Sequence, residues 1–424
     1  MIQKLRIWAL LLIHVLILLH IFIFGDEIVG SIDFQEFFHA FIKHGVLNAG
    51  AILVIIAFMT TLVFGRFFCG WACHFGAIQE FSWWLLKKIN INPITINSRL
   101  VTILPIILLL NYYFIPNLVY AYNNPWEVSI KLNEPEIWEF LPGWLIGILT
   151  FIIDGFLMVY FLGRKGFCRF LCPWGAFLKF PNSMSMFKVR KINACTYCHE
   201  CTKNCPVGID VSYEINKFNK VVNTNCTSCL VCTSGCPSNS LSYKFQNPLN
   251  ETYSLAYFLR KSTKHHKNIN HLFKSIKTKD FILLLLCLLF SISIDGLYGI
   301  GHFMAFGIGI LSAFLLFVID YKNIQLKIFI NSFIILFFLW HGTIKFSIWQ
   351  GVNYYNKKQF DSGIAHLEIA TKLYPKKIGK FHLMLGDMYY LVGNNTKALE
   401  HAMIAHNINP SYNAPIEIIN NLNK

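Results

Sequence analysis

A run of cysteines that occurs twice constrains this chain more than any other feature. Residues 195–206 read Cys195-x2-Cys198-x2-Cys201-x3-Cys205-Pro206, and residues 226–237 repeat the spacing as Cys226-x2-Cys229-x2-Cys232-x3-Cys236-Pro237. The chain holds 13 cysteines in all, and twelve of them fall in tight spacings. Such clustering is the mark of metal ligation rather than of a disulfide framework.

Three thiolates on one tight loop reach three corners of an iron–sulfur cubane, and the fourth has to arrive from elsewhere. The doubled run is the bacterial two-cluster ferredoxin pattern, in which the fourth cysteine of each run serves the other cluster. The expected ligands of one 4Fe-4S cluster are therefore Cys195, Cys198, Cys201 and Cys236, and those of the other Cys226, Cys229, Cys232 and Cys205. Structural zinc needs only four ligands per site and no doubling. Cys195-Thr-Tyr-Cys198-His199 also fits a c-type haem attachment motif. It lies inside a complete ferredoxin run, so haem is not expected there.

The rest of the chain is of another kind. Of 424 residues, 55% are hydrophobic and only 14% charged, against roughly 25% charged in a typical soluble protein. A bilayer crossing needs about 20 apolar residues. Seven segments are long enough, within a range of about 17–25 residues, near 7–24, 45–64, 100–116, 144–162, 281–297, 301–319 and 328–349. Only Asp295 to Ile300 separates the fifth from the sixth, so a re-entrant hairpin is the alternative there. Residues 1–24 are read as a retained helix rather than a signal peptide, because no small-residue cleavage site follows them.

The net charge of +15 would suggest nucleic acid in a soluble protein; here it sits in loops between apolar segments, so no nucleic-acid partner is expected. Lys4 and Arg6 precede the first segment, and 163–191 holds seven basic residues and no acidic one. The loops at 25–44 and 117–143 are acidic. The positive-inside rule then puts the N-terminus, the 65–99 loop and 163–280 in the cytoplasm, and seven crossings put the C-terminal tail outside. The basic stretch 246–280 reads as a linker lying against anionic headgroups.

The tail repeats itself. Gly351, Tyr354, Tyr355, Ala370 and Pro375 recur 35 residues later as Gly386, Tyr389, Tyr390, Ala405 and Pro410. Tetratricopeptide repeats have this period of about 34 residues and these residue types.

Two further cysteine pairs stand just past membrane hairpins, Cys69-Gly-Trp-Ala-Cys73-His74 and Cys168-Arg-Phe-Leu-Cys172-Pro173. Each follows a Gly-Arg, Gly65-Arg66 and Gly163-Arg164, and they lie 99 residues apart. This is the pattern of a parallel internal duplication. A Cys-x3-Cys on a helix would put both sulfurs on one face. Cys69, Cys73, Cys168 and Cys172 are thus expected to converge, with His74 as an added ligand or proton acceptor. Such a site could hold a metal or a further iron–sulfur centre, or cycle between dithiol and disulfide. Arg66, Arg164 and Arg169 would favour thiolates. Cys287, alone in an apolar run, reads as packing.

From about residue 45 to 245 the chain resembles the NosR/NapH-type membrane polyferredoxins. The resemblance rests on the CGWACHFGAIQE and CRFLCPWGAF segments followed by the two ferredoxin runs. In that family both exit motifs read Cys-x3-Cys-Pro, and His74 replaces the first proline here. The flavin-binding domain of the NosR branch has no counterpart in these residues. The resemblance implies electron movement between the quinone pool and periplasmic reductases, or support of metalloenzyme maturation.

Asp154 lies midway along the fourth apolar segment. An intramembrane carboxylate is costly and marks a functional candidate, here a proton acceptor in quinol oxidation or a partner in an interhelical hydrogen bond. His14 and His341 lie mid-segment without a spacing motif, so interhelical hydrogen bonding is preferred to haem ligation.

The expected architecture is mainly α. It comprises a membrane domain over 1–184, a two-cluster ferredoxin domain over 185–245, a linker over 246–280, membrane helices over 281–349 and a repeat tail over 350–424. The expected function is membrane-integral iron–sulfur electron transfer at the bacterial inner membrane. It would link quinone or a cytoplasmic-side donor to a respiratory partner docked on the tail. The alternative is a factor that handles or reduces a metal such as copper, since thiolates suit its reduced state.

Overall fold

A computed structural model describes residues 2–19, 34–93, 100–132, 143–247, 278–298, 300–318, 324–375 and 378–410, with 419. The linker expected over 246–280 falls almost wholly outside them, as do 25–33 and 133–142 of the two acidic loops. The chain divides into two units, 1–285 and 286–424, and each is taken by itself.

The first unit is mainly helical. It begins with α1 (Ile2–Leu19), a two-residue strand β1 (Val46–Leu47) and α2 (Ala49–Phe64). Asn48 caps α2, its Oδ1 accepting from the Ala51 N–H at 2.9 Å, and Gly65 ends it at φ 62°. A short helix α3 (Phe67–Trp71) and the amphipathic α4 (His74–Lys88) follow. The next run, α5 (Val101–Asn123), passes through a π turn at Leu109–Phe114 immediately before Pro116. Proline has no N–H to give the helix, and a π turn is one way to absorb the missing bond. β2 (Ser129–Ile130) pairs in parallel with β1. Then α6 (143–162) carries another π turn, Phe151–Leu157, around Asp154.

The chain returns through α7 (Gly166–Phe170) and α8 (Pro173–Phe177) to the ferredoxin segment. There β3 (Phe187–Lys191) and β4 (Leu241–Phe245) form an antiparallel ladder that closes the segment's two ends, Phe187 opposite Phe245. Between them lie α9 (Glu200–Lys203), α10 (Val211–Phe218) and α11 (Val231–Ser234). Val189, Val207, Ile209, Val211, Ile215, Val221 and Leu241 make its core.

In the second unit, the Leu286–Ile294 part of α12 (Thr278–Ile294) packs against α13 (His302–Val318). A Cβ on Gly309 would stand 2.3 Å from Ser291 Oγ, so the two helices meet through small residues. The long helix α14 (Ile324–Asn356) is followed by α15 (Phe360–Leu373), α16 (Gly379–Leu391) and α17 (Asn395–Ile408). Gly351 packs against Leu367, and Gly386, 35 residues on, packs against Ala402, the residue equivalent to Leu367. The period in the sequence is thus a period of helix-on-helix contacts.

Among the described residues, each of the seven apolar segments is mostly helical, apart from the strand Val46–Leu47 in the second. Among the described residues, however, only Val101–Asn123 and Ile324–Asn356 are long and apolar enough to cross a membrane by length and composition. Ala49–Phe64, Gly147–Leu162 and His302–Leu316 are apolar but shorter.

Candidate iron–sulfur site

The two cysteine runs fold alike. Tyr197 and His199 take left-handed backbone conformations, φ 55° and 59°, and so do Ser228 and Leu230, 31 residues later, at 48° and 58°. Gly208 and Asn239 form a third such pair, at 69° and 46°. Non-glycine residues rarely adopt this region, and here it turns backbone N–H groups toward the sulfurs. The Ile209 N–H donates to Cys205 Sγ at 3.4 Å and the Ser240 N–H to Cys236 Sγ at 3.4 Å. His199 belongs to this turn geometry, as the left-handed residue that opens α9.

The loops build two pockets, and the cysteines are crossed between them. Cys195, Cys198, Cys201 and Cys236 line the first, with Ile215 and Leu241. Cys205, Cys226, Cys229 and Cys232 line the second, with Val189 and Val221. An all-sulfur donor set, apolar walls and N–H groups aimed at the sulfurs fit an iron–sulfur cubane. Exposure separates the two. Cys198, His199 and Pro237 are exposed at the first pocket, whereas Thr227, Ser228 and Cys229 are buried at the second. Burial pushes the Cys226 thiol up to about 12 and Cys205 up to about 11. At Cys236 burial works in the same direction, but hydrogen bonds from Ser238 and Ser240 hold the thiol below its ordinary value.

The exit motifs also fold alike, 99 residues apart. The Cys73 N–H donates to the Phe68 carbonyl at 3.0 Å, and the Cys172 N–H to the Phe167 carbonyl at 2.9 Å. Each pair straddles a break. The first cysteine lies in a short helix, α3 or α7, and the second is the extended residue that caps α4 or α8. The single helical face expected from the spacing is therefore replaced by a turn. Charge on Cys69, Cys73 and Cys168 acts on Cys172, and that on Cys69 and Cys168 acts on Cys73. Burial first, and then these neighbours, drive Cys73 up to about 12 and Cys172 well above its ordinary value.

Two buried cations complete this site, and one of them was not apparent from the motifs. Arg66 donates from Nη2 to Cys69 Sγ at 3.8 Å. Burial opposes its charge, and Cys69, Cys168 and Cys172 more than offset that. Its counterpart is Lys165, not Arg164, because Lys165 follows Arg66 by the same 99 residues as the cysteines do. The two cross over. A Cβ on Gly175 would lie 2.8 Å from Arg66 Nη2, and one on Gly76 would lie 3.1 Å from Lys165 Nζ. Lys165 also donates to the Gly76 carbonyl at 2.8 Å. Aligning the two Gly-Arg dipeptides concealed this, since the second motif has one residue more before its cysteine. Gln79, likewise missed, donates to Cys168 Sγ at 3.1 Å.

Arg66 Nε is buried without a hydrogen-bond partner among the described residues. An orphaned donor beside four sulfurs fits a bulky anionic occupant such as an iron–sulfur centre. No group of three or more His, Cys, Asp or Glu among the described residues is placed to hold a single metal ion.

The remaining candidates lie elsewhere. Arg164 pairs with Glu80 instead of a sulfur, and Arg169 faces Gly208 and Cys205. His74 stands at the first position of α4, where the second motif has Pro173; burial of its ring first, and then the charge of His14, lowers its imidazole to about 4. That position needs no backbone donor, so a histidine is accommodated there as readily as a proline. His341 lies in the second unit, with Nε2 at 2.8 Å from the Tyr298 hydroxyl and Nδ1 at 2.7 Å from the Phe337 carbonyl. Cys287 is buried, as expected of a packing residue. Asp154 is fully buried, and neither carboxyl oxygen has a hydrogen-bond partner among the described residues.

Comparison with known proteins agrees with this layout. Residues 48–92 and 140–192 match the 4Fe-4S binding domain family, and residues 194–241 match the 4Fe-4S dicluster domain family. An uncharacterized protein of Methanocaldococcus jannaschii is 26% identical over 187 residues, 42% of this chain and 74% of that protein. The methylamine utilization ferredoxin-type protein MauN of Methylorubrum extorquens is 28% identical over 193 residues, 43% of this chain and 63% of its own. The regulatory protein NosR of Pseudomonas aeruginosa is 30% identical over 158 residues, 34% of this chain and 21% of NosR. No solved structure matches the chain.

Proposed function

Since the chain belongs to the NosR/NapH-type polyferredoxins, we propose that it is a multi-pass membrane protein whose cysteine sites carry electrons between a quinone or cytoplasmic-side donor and a respiratory partner. The observation that carries this reading is the crossed set of four cysteines lining each pocket. Clusters bound there would supply one-electron transfer. The chain's own contribution is to hold the sulfurs on left-handed turns, to aim N–H donors at them and to wall the second, inner pocket with valines. The exit cysteines, with Arg66 and Lys165, would hold a third centre where the apolar helices end.

The seven apolar helices are read as crossings, with the ferredoxin domain on the cytoplasmic side and the helical tail outside. The tail's glycine-to-helix contacts support a tetratricopeptide-like surface for the partner. Asp154 is the candidate proton acceptor for quinol, because an unpaired buried carboxyl has no structural hydrogen bond to keep it there.

Anaerobically purified protein tests the reading. Two ferredoxin-type clusters require about eight iron and about eight sulfide per chain, and a third centre adds to that. Serine at Cys198 and Cys229 should remove most of the iron. Zinc with no acid-labile sulfide would overturn the reading. Asp154→Asn should leave the iron unchanged and abolish reduction by a quinol; retained quinol reduction would remove Asp154 from the pathway.

A further inference from the structure

Arg66 touches two cysteine sites at once. One arm of its guanidinium donates to Cys69 Sγ, and the other donates to the Thr224 carbonyl at 3.3 Å, two residues before Cys226. Its backbone N–H donates to Asn182 Oδ1 at 3.2 Å, and Asn182 Nδ2 donates to the carbonyls of Thr224 and Cys226 at 3.0 and 3.3 Å. The charge of Arg66 acts on Cys226 as well as on Cys69, Cys168 and Cys172.

The backbones meet at the same place. A Cβ on Gly70 would stand 2.3 Å from the Thr227 carbonyl oxygen and 3.3 Å from Cys229 Cα. Trp71 Nε1 donates to the Ser228 carbonyl at 3.0 Å. From the second repeat, Arg169 acts on Cys205. Both exit motifs therefore bear on the pocket of Cys205, Cys226, Cys229 and Cys232. The pocket of Cys195, Cys198, Cys201 and Cys236 opens instead toward solvent at Cys198, His199 and Pro237.

We propose that Arg66 is the shared counter-charge of two adjacent redox centres, the exit cysteines and the inner ferredoxin pocket, and that the outer pocket is the port where electrons enter from a one-electron donor. The proposal rests on the reading of the exit cysteines as a redox centre. In the transfer across this junction one electron leaves one centre as it reaches the other, and no bond or proton moves. A buried cation stabilises the more negative, reduced form of whatever anionic centre it faces, and low local polarity magnifies this. Arg66 thus raises both potentials and offsets the repulsion between two reduced neighbours.

Full-length protein, purified anaerobically and poised with dithionite, allows the centres to be followed by electron paramagnetic resonance after the iron content has been measured. Arg66→Met should make two of the three centres harder to reduce, each by about tenfold or more in the reduction equilibrium, with the outer centre unmoved. Arg66→Lys keeps the charge and should restore most of the shift, which a merely structural role would not predict. Three unmoved potentials with iron intact would overturn the proposal, and so would an equal shift at all three. Should Arg66→Met fail to assemble, Gly70→Ala forces the two loops apart and should weaken the magnetic interaction between the paired centres; an unchanged interaction again overturns the proposal. Cys69→Ser with Cys168→Ser separates the two failures. Full iron in that variant would mean that the exit cysteines hold no centre, whatever Arg66 does to the inner pocket.

Discussion

Glu80 holds together three basic side chains from distant parts of the sequence. Its oxygens lie 3.3 Å from Arg6, 3.5 Å from Lys165 and 2.7 Å from Arg164 Nε. Burial alone would raise its carboxyl, but Lys165, Arg164 and Arg6 overcome that and hold it at about 2 instead of 4.5. A carboxyl depressed on folding stabilises the fold at pH above its unfolded value, here by about 3 kcal/mol. That contribution should fade as the pH falls from 4.5 toward 2. Glu80→Gln leaves three cations without their anion and should cost about 3–5 kcal/mol at neutral pH, read as a lower thermal midpoint in detergent. It should also flatten the acid limb of the stability profile. A midpoint within a degree of wild type would contradict this. Glu80 was legible in the sequence only as a lone acid in a basic loop, because its partners come from 74 residues before and 84 and 85 after. The grouping of the ferredoxin cysteines around two pockets could be read from their spacing, which is local and set by the chemistry. Lys165 was hidden because an arginine beside it imitates the motif.

At the scale of elements, small residues set how closely helices approach. Ala305, Gly309 and Ala313 lie one turn apart on α13 and are buried, and Gly309 meets the Ser291 backbone. Gly309→Leu should therefore separate α12 from α13 and cost about 1–3 kcal/mol or more. Gly301→Ala, with nothing within 4 Å of its Cβ, should be close to neutral. Thermal unfolding of the two variants side by side is the measurement, and equal midpoints would refute the contact. Periodicity and hydropathy pointed to the apolar helices, Val101–Asn123 and Ile324–Asn356 among them. They could not reveal the π turns at 109–114 and 151–157 or the break between the paired exit cysteines. Those depend on where proline, glycine and buried polar groups meet other elements, and such contacts leave no local signature.

For the whole molecule, the loop charges predict that the tail after Asn356 lies outside the cytoplasm. A phosphatase fused at the C-terminus should be active only if that holds. An inactive fusion would mean that one of the shorter apolar helices does not cross, and the partner of the tail would then be cytoplasmic. Among the described residues only Val101–Asn123 and Ile324–Asn356 are long and apolar enough to cross by themselves, so the fusion reports on the shorter helices.

The exchange of cations between the two exit motifs has a consequence for biogenesis. Arg66 is buried beneath Gly175 and Lys165 beneath Gly76, so neither motif can bury its own charge by itself. At about 5–20 residues per second of synthesis, the roughly one hundred residues between them take on the order of ten seconds to emerge. Until then the glycine that covers Arg66 has not been made. The duplication thus sets an order: the site of four cysteines is complete only after the second copy of the motif has been synthesised.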